Sequence, residues 1–232
     1  MRIIIVGNES SNLDKNVIYC GSGNSSKLID RVDQKDFVIC GANNAWRLFK
    51  EFDFWIHSGD FPRENRPEKQ NFKTEISYSE YKETSKQFCD SLGIKTPSPQ
   101  HYVGYTIFFL GLHWIMTELK PKRIGLLGFD HDYNPEKVKK WKEGGQPNPQ
   151  NKYLKGDETI KKWGETFFDG MKQDSFYGQG TPDPLRLGED HLRGKFKQLI
   201  ENSKKLGIEI VNLSPVSSGI NPMPKVSIDD FR

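Results

Sequence analysis

The sequence predicts an α/β fold: a Rossmann-like, open and mostly parallel sheet with helices on both faces and a lid inserted after one strand. Three observations carry the prediction. Short apolar runs alternate with helical stretches along the 232 residues, and a run that is apolar throughout suits a strand covered on both faces. Several runs end in polar, glycine-containing turns: GSGNSS after Cys20, GANN after Cys40, HSGD after Ile56 and GFDHDY after Leu127. In an open parallel sheet such ends line one crevice, and ligands bind there. The third observation is Tyr105 to Leu119, apolar nearly all round, which reads as a buried helix covering a sheet.

Taken in order, Arg2 to Val6 reads as a first strand and Ser10 to Lys15 as a polar link. Val17 to Cys20 is a short buried strand, followed by a helix from Ser25 to Arg31. Asp36 to Cys40 is the next strand, with a short helix from Ala45 to Phe49, and Phe52 to Ile56 the strand after it. Arg63 to Thr74 is charged and proline-punctuated and reads as a surface loop, and Ser77 to Leu92 as an exposed helix. After the buried helix, Pro121-Lys122 leads to a central strand, Arg123 to Leu127.

Composition then shifts. Asn134 to Gly180 shows no clear strand, and eight lysines face three acids between Lys137 and Lys162. An insertion of that length at a strand end marks a lid. The chain regains order with a helix from Asp190 to Leu206 and a strand from Ile208 to Asn212, and the tail from Val216 to Arg232 is expected to lie along the surface. The division is a nucleotide-binding core over residues 1–133, a lid over 134–180, and a C-terminal helix, strand and tail over 181–232 that complete the core.

A net charge of +3 demands neither nucleic acid nor a membrane as partner. No apolar run approaches the ~20 residues that span a bilayer, and the N-terminal MRIIIVGNES reads as a strand rather than a signal peptide. Cys20, Cys40 and Cys89 have no CxxC spacing, which points to a reduced, cytoplasmic protein. Aromatic residues make up 12% of the chain, and many stand outside the strands, where aromatics line ligand sites.

The turn after Cys20 is the centre of the functional reading. A strand running into a Gly-x-Gly turn and a helix N-terminus offers free N–H groups and a dipole to an anion. Gly21, Ser22, Gly23 and Ser25 are therefore expected to hold a nucleotide, together with Asn43, Asn44 and Gly128 at the neighbouring strand ends. Ser26 stands where a full dinucleotide fingerprint has its third glycine. On this reading Gly23→Val abolishes nucleotide binding and leaves the fold intact.

The order of these pieces resembles the bacterial sialyltransferases that use CMP-sialic acid, and their uncharacterised phage and bacterial relatives. The family's GNGPS-type turn is similar to Gly21 through Ser25, with Asp30 at the place of a helical Asp. Its second strand ends in an Asn, matched by Asn43 or Asn44; its third ends in an Asn, where this chain has His57. Its GIDFY-type strand end resembles Gly128 to Tyr133, its HYIG-type motif resembles Ser175 to Gly178, and NLSP at 212–215 also fits. The resemblance spans Val17 to Pro215. It implies transfer of a sugar from a nucleotide-activated donor, with no cofactor required. Two departures bear on mechanism. Ser175 stands at the place of the family's general base, a His, and Asp132 at the place of its phosphate-binding Tyr, with Tyr133 next to it.

Glycosyl transfer needs a stabilised leaving phosphate, a deprotonated acceptor hydroxyl and exclusion of water. Tyr133, Tyr177 or a lid lysine would meet the phosphate, and His57, His131 or Asp130 would be the base. Alternatively, Asp130 and Asp132 after an apolar strand would hold Mg²⁺ or Mn²⁺ against a diphosphate. Lys140, Trp141 and Trp163 in the lid are the acceptor-binding candidates, for a glycan or for a base in DNA. Three function classes follow: a glycosyltransferase, a metal-dependent pterin-type diphosphokinase, and a nucleotide-binding protein that has lost its base. The sequence leaves the oligomeric state open.

Overall fold

A computed structural model describes residues 15–59, 61, 63–104, 106–130, 172–175, 178–182, 189–216 and 221–232, with side chains described throughout except in 172–190. The strands are β1 (Val17–Cys20), β2 (Val38–Ala42), β3 (Phe52–Ile56), β4 (Phe72–Ile76), β5 (Arg123–Leu127), β6 (Lys172–Ser175), β7 (Gly178–Pro182) and β8 (Glu209–Asn212). Six of them form one sheet in the order β4-β3-β2-β1-β5-β8, and every pairing in it is parallel. The α/β fold with an open parallel sheet is thus observed. The chain lays β2, β3 and β4 down on one side of β1, then returns to place β5 and β8 on the other. The strand order therefore reverses at β1/β5, where ligands of doubly wound folds bind.

Alternation along β1 divides the core between the two faces. Val17 and Tyr19 join one cluster with Phe109, Leu112 and Phe196. Ile18 and Cys20 join the other with Phe37, Trp55 and Phe231. The first face is covered by α1 (Tyr78–Ser91), α2 (Pro99–Val103), α3 (Ile107–Trp114) and α4 (Glu189–Lys205). Gly111 lets α3 sit close to the sheet: a Cβ there would stand 2.2 Å from the Tyr19 hydroxyl, which donates to the Ile107 carbonyl at 2.8 Å. Cys20, Cys40 and Cys89 are free and buried.

The second face departs from expectation. The helices expected over 25–31 and 45–49 are 3₁₀ segments, Asn24–Arg31 and Asn43–Leu48. Their i→i+3 bonds make both segments tighter than the α-helices expected. The tail, expected on the surface, helps build this face: Ile228 and Phe231 are buried, and Phe231 stacks on Phe37 at 5.7 Å.

β4 begins inside the stretch for which the sequence predicts a loop. Its sequence, FKTEI, alternates with charged residues because it is the sheet's edge, so only part of it is buried. The buried helix holds as α3 and runs on into a π-helical turn, Ile115–Leu119. The segment 134–180 was expected to contain no strand, yet β6 and β7 pair antiparallel at its end. The first expected strand, Arg2 to Val6, lies outside the described residues.

Candidate functional site

The site begins where β1 and β5 leave the sheet side by side. The Gly21 N–H donates to the Leu127 carbonyl at 2.8 Å and the Gly23 N–H to the Gly128 carbonyl at 2.7 Å, so the two turns stay paired beyond the strands. This close approach explains the glycines. A Cβ on Gly21 would lie 2.5 Å from the Gly128 oxygen, and Gly128 itself has φ +72°, a backbone region that glycine enters without strain.

Asp130 closes the junction and is only 6% exposed. Its Oδ2 accepts the Ser25 N–H at 3.0 Å. Its Oδ1 accepts from the hydroxyls of Ser25 and, at 2.8 Å, Ser214. Ser25 Oγ in turn accepts the Gly128 N–H at 2.9 Å. One carboxylate thus ties together the turns that follow β1, β5 and β8. It also sits at the N-terminus of the 3₁₀ segment that begins at Asn24, where the sequence predicted the phosphate of a ligand. The anion site exists, and the protein fills it with its own carboxylate.

Two expectations change accordingly. The N–H groups of Gly21, Gly23 and Ser25 are spent on β5 and Asp130, so they do not cradle a ligand. A Cβ on Gly23 would stand 2.6 Å from Asp130 Oδ2 and 2.7 Å from the Gly128 oxygen. Gly23→Val is therefore a lesion of the turn itself and does not spare the fold. Asp130, expected as base or metal ligand, has both oxygens occupied by protein donors and acts as a structural pin.

Asn43, the residue after β2, offers a more open group. It holds φ 46°, an uncommon conformation for a residue with a side chain. Two bonds keep it there: its carbonyl accepts from Trp55 Nε1 at 2.9 Å, and its Oδ1 accepts the Ser58 N–H at 3.0 Å. With the oxygen so committed, the amide's NH₂ is left to donate. Asn43 is half-buried while Asn44 is only 4% exposed, so of the two Asn43 is the more open. Backbone strain held by surrounding bonds clusters at functional positions.

His57, a candidate base, is 2% exposed. Its Nδ1 lies 3.0 Å from the Ser58 carbonyl oxygen and its Nε2 2.7 Å from Glu75 Oε1, while its ring packs on Trp55 at 4.4 Å. Neither nitrogen is open to an acceptor hydroxyl, so His57 braces β3 against β4 rather than serving as base. His131, Asp132, Tyr133, Lys140, Trp141, Trp163 and Tyr177 lie outside the described residues, as does the side chain of Ser175. Ser214 was missed as a site residue, although the NLSP motif that contains it stands at a strand end like the others.

The strand order and the paired turns define a parallel, Rossmann-like fold with its crevice at β1/β5. No family model matches the chain, and no curated protein matches it. Among solved structures it is similar to the sialyltransferase CstII from Campylobacter jejuni in complex with the substrate analogue CMP-3FNeuAc, with 16% identity, a TM-score of 0.43 and coverage of 91% of this chain and 85% of that one. It is also similar to the sialyltransferase CST-II in complex with a trisaccharide acceptor and CMP, with 14% identity, a TM-score of 0.42 and coverage of 91% and 86%. No helix among the described residues is long and apolar enough to cross a membrane.

Proposed function

We propose that this chain is a glycosyltransferase that moves a sugar from a nucleotide-activated donor to a glycan or to a modified base in DNA. The order of motifs from Gly21 to Pro215 supplies the reaction class. The observation that carries nucleotide binding is Asn43, strained, braced by Trp55 and Ser58, and presenting an amide donor at the carboxyl edge of a parallel sheet. The donor lies along the ends of β1, β2, β3 and β5; Tyr133 and Tyr177 are the sequence's candidates for its phosphate, and Lys140, Trp141 and Trp163 its candidates for the acceptor. With His57 and Asp130 engaged elsewhere, His131 is the candidate left for the base.

A thermal-shift screen of CMP, UDP, GDP, ADP and their sugar conjugates tests the reading, because a ligand of the native state raises Tm by mass action. One of them is expected to stabilise the protein. Asn43→Gly keeps a residue at ease with φ 46° and removes the amide. It is expected to weaken that nucleotide about 2- to 12-fold, the worth of one hydrogen bond. Silence across the screen would end the nucleotide reading, and full affinity in Asn43→Gly would remove Asn43 from the site.

The reaction is proposed to need no metal, since the Asp130 carboxylate is already held by Ser25 and Ser214. Turnover is expected to persist in EDTA. Loss in EDTA with recovery on adding Mn²⁺ or Mg²⁺ would restore the metal-dependent diphosphokinase reading instead.

A further inference from the structure

We propose that Tyr78 is the platform on which the nucleobase of the donor stacks, with the Gln100 amide beside it to read the edge of the base. The inference rests on the nucleotide reading above and adds a residue that no sequence motif marked. Among the described residues Tyr78 is the large hydrophobic side chain left exposed, at 47%. It is the first residue of α1, immediately after β4, and so stands on the carboxyl edge of the sheet. It lies on the β2–β3–β4 side of the switch point, the same side as Asn43. With strands about 4.8 Å apart, the end of β4 lies about 10 Å from the end of β2, so a nucleoside laid along this edge reaches from one residue to the other.

Four features fix the ring. Ser77 and Glu80 form a capping box that sets the first turn of α1. The Tyr81 ring meets Tyr78 edge-on at 5.6 Å. The Tyr78 hydroxyl donates to Gln100 Oε1 at 3.2 Å. Gly59, in the turn after β3, makes room for it: a Cβ there would stand 3.3 Å from the Tyr78 side chain. An exposed ring held on several sides gives up little freedom when a base stacks on it, and every base has a face to offer. Because Gln100 Oε1 already accepts from Tyr78, its NH₂ is left to donate to a carbonyl or ring nitrogen on the base edge.

The test is calorimetric titration of the intact protein with CMP, UDP, GDP and ADP, each free or as its sugar conjugate, alongside Tyr78→Ala, Tyr78→Phe, Gly59→Val and Gln100→Ala, each checked for an unchanged Tm. The wild type is expected to bind at least one nucleotide. Tyr78→Ala should weaken it about 5- to 150-fold, the range covered by stacking on one aromatic ring. Tyr78→Phe, which keeps the ring, should retain most of the affinity; Gly59→Val, which displaces it, should lose affinity as Tyr78→Ala does. Gln100→Ala should narrow the preference between bases. A wild type that binds a nucleotide with Tyr78→Ala binding it equally well overturns the platform and leaves the nucleotide reading standing. A wild type that binds none of the four overturns both.

Discussion

Asp130→Ala is expected to destabilise the protein by about 3–5 kcal/mol, because it strands three donors, each costing about 1–3 kcal/mol when buried without an acceptor and partly relieved by water. Those donors are the Ser25 N–H, the Ser25 hydroxyl and the Ser214 hydroxyl. Asp130→Asn is expected to recover part of it: the amide oxygen can accept the Ser25 N–H while the NH₂ donates to the hydroxyl oxygens of Ser25 and Ser214, which turn to accept. Urea denaturation measures both. A catalytic base or metal ligand behaves otherwise, since its loss stops turnover and leaves stability near the wild-type value. Ser214→Ala removes one of the three donors and should cost about 1 kcal/mol alone. Combined with Asp130→Ala it should add less than its single effect, because the two act through one bond. Wild-type stability in folded, inactive Asp130→Asn would return Asp130 to the chemistry.

The position of that carboxylate shows what the sequence could and could not convey. Glycine turns at the ends of apolar runs were legible because strand, turn and helix start follow one another within ten residues, Val17 to Ser26. The fold class followed from the same local signals. What fills the turn is non-local: Asp130 and Ser214 arrive from far along the chain. A Gly-x-Gly before a helix start reads alike whether its anion comes from a ligand or from the protein. β4 was hidden for a different reason, since an edge strand carries charges that resemble a loop's. The tail was hidden because Ile228 and Phe231 are lone anchors without a period, legible only once the face they cover is known. Tyr78 had no signal at all beyond its place beside a capping serine.

Acid is expected to weaken the fold through His113, by up to about 3 kcal/mol between pH 7 and pH 4, at 1.36 kcal/mol per pKa unit. His113 lies in α3, 1% exposed, with its ring edge-on to Phe88 at 4.6 Å. Its Nδ1–H donates to the Phe109 carbonyl at 2.8 Å, and its Nε2 has no hydrogen-bond partner among the described residues. Burial pulls its pKa down to about 4 from an ordinary 6.5, and the charge of Lys195 acts in the same direction. The folded chain therefore keeps the ring neutral where the unfolded chain takes up a proton. That contribution is whole above pH 6.5, and it is lost as the pH falls toward 4, where the native ring begins to protonate as well. His113→Phe keeps a ring against Phe88 and removes the proton site. Denaturation of both proteins at pH 7 and pH 4.5 isolates the contribution, because carboxylates elsewhere titrate equally in each. The wild type should lose more stability than His113→Phe over that interval; equal losses would mean that His113 is protonated in the fold without cost.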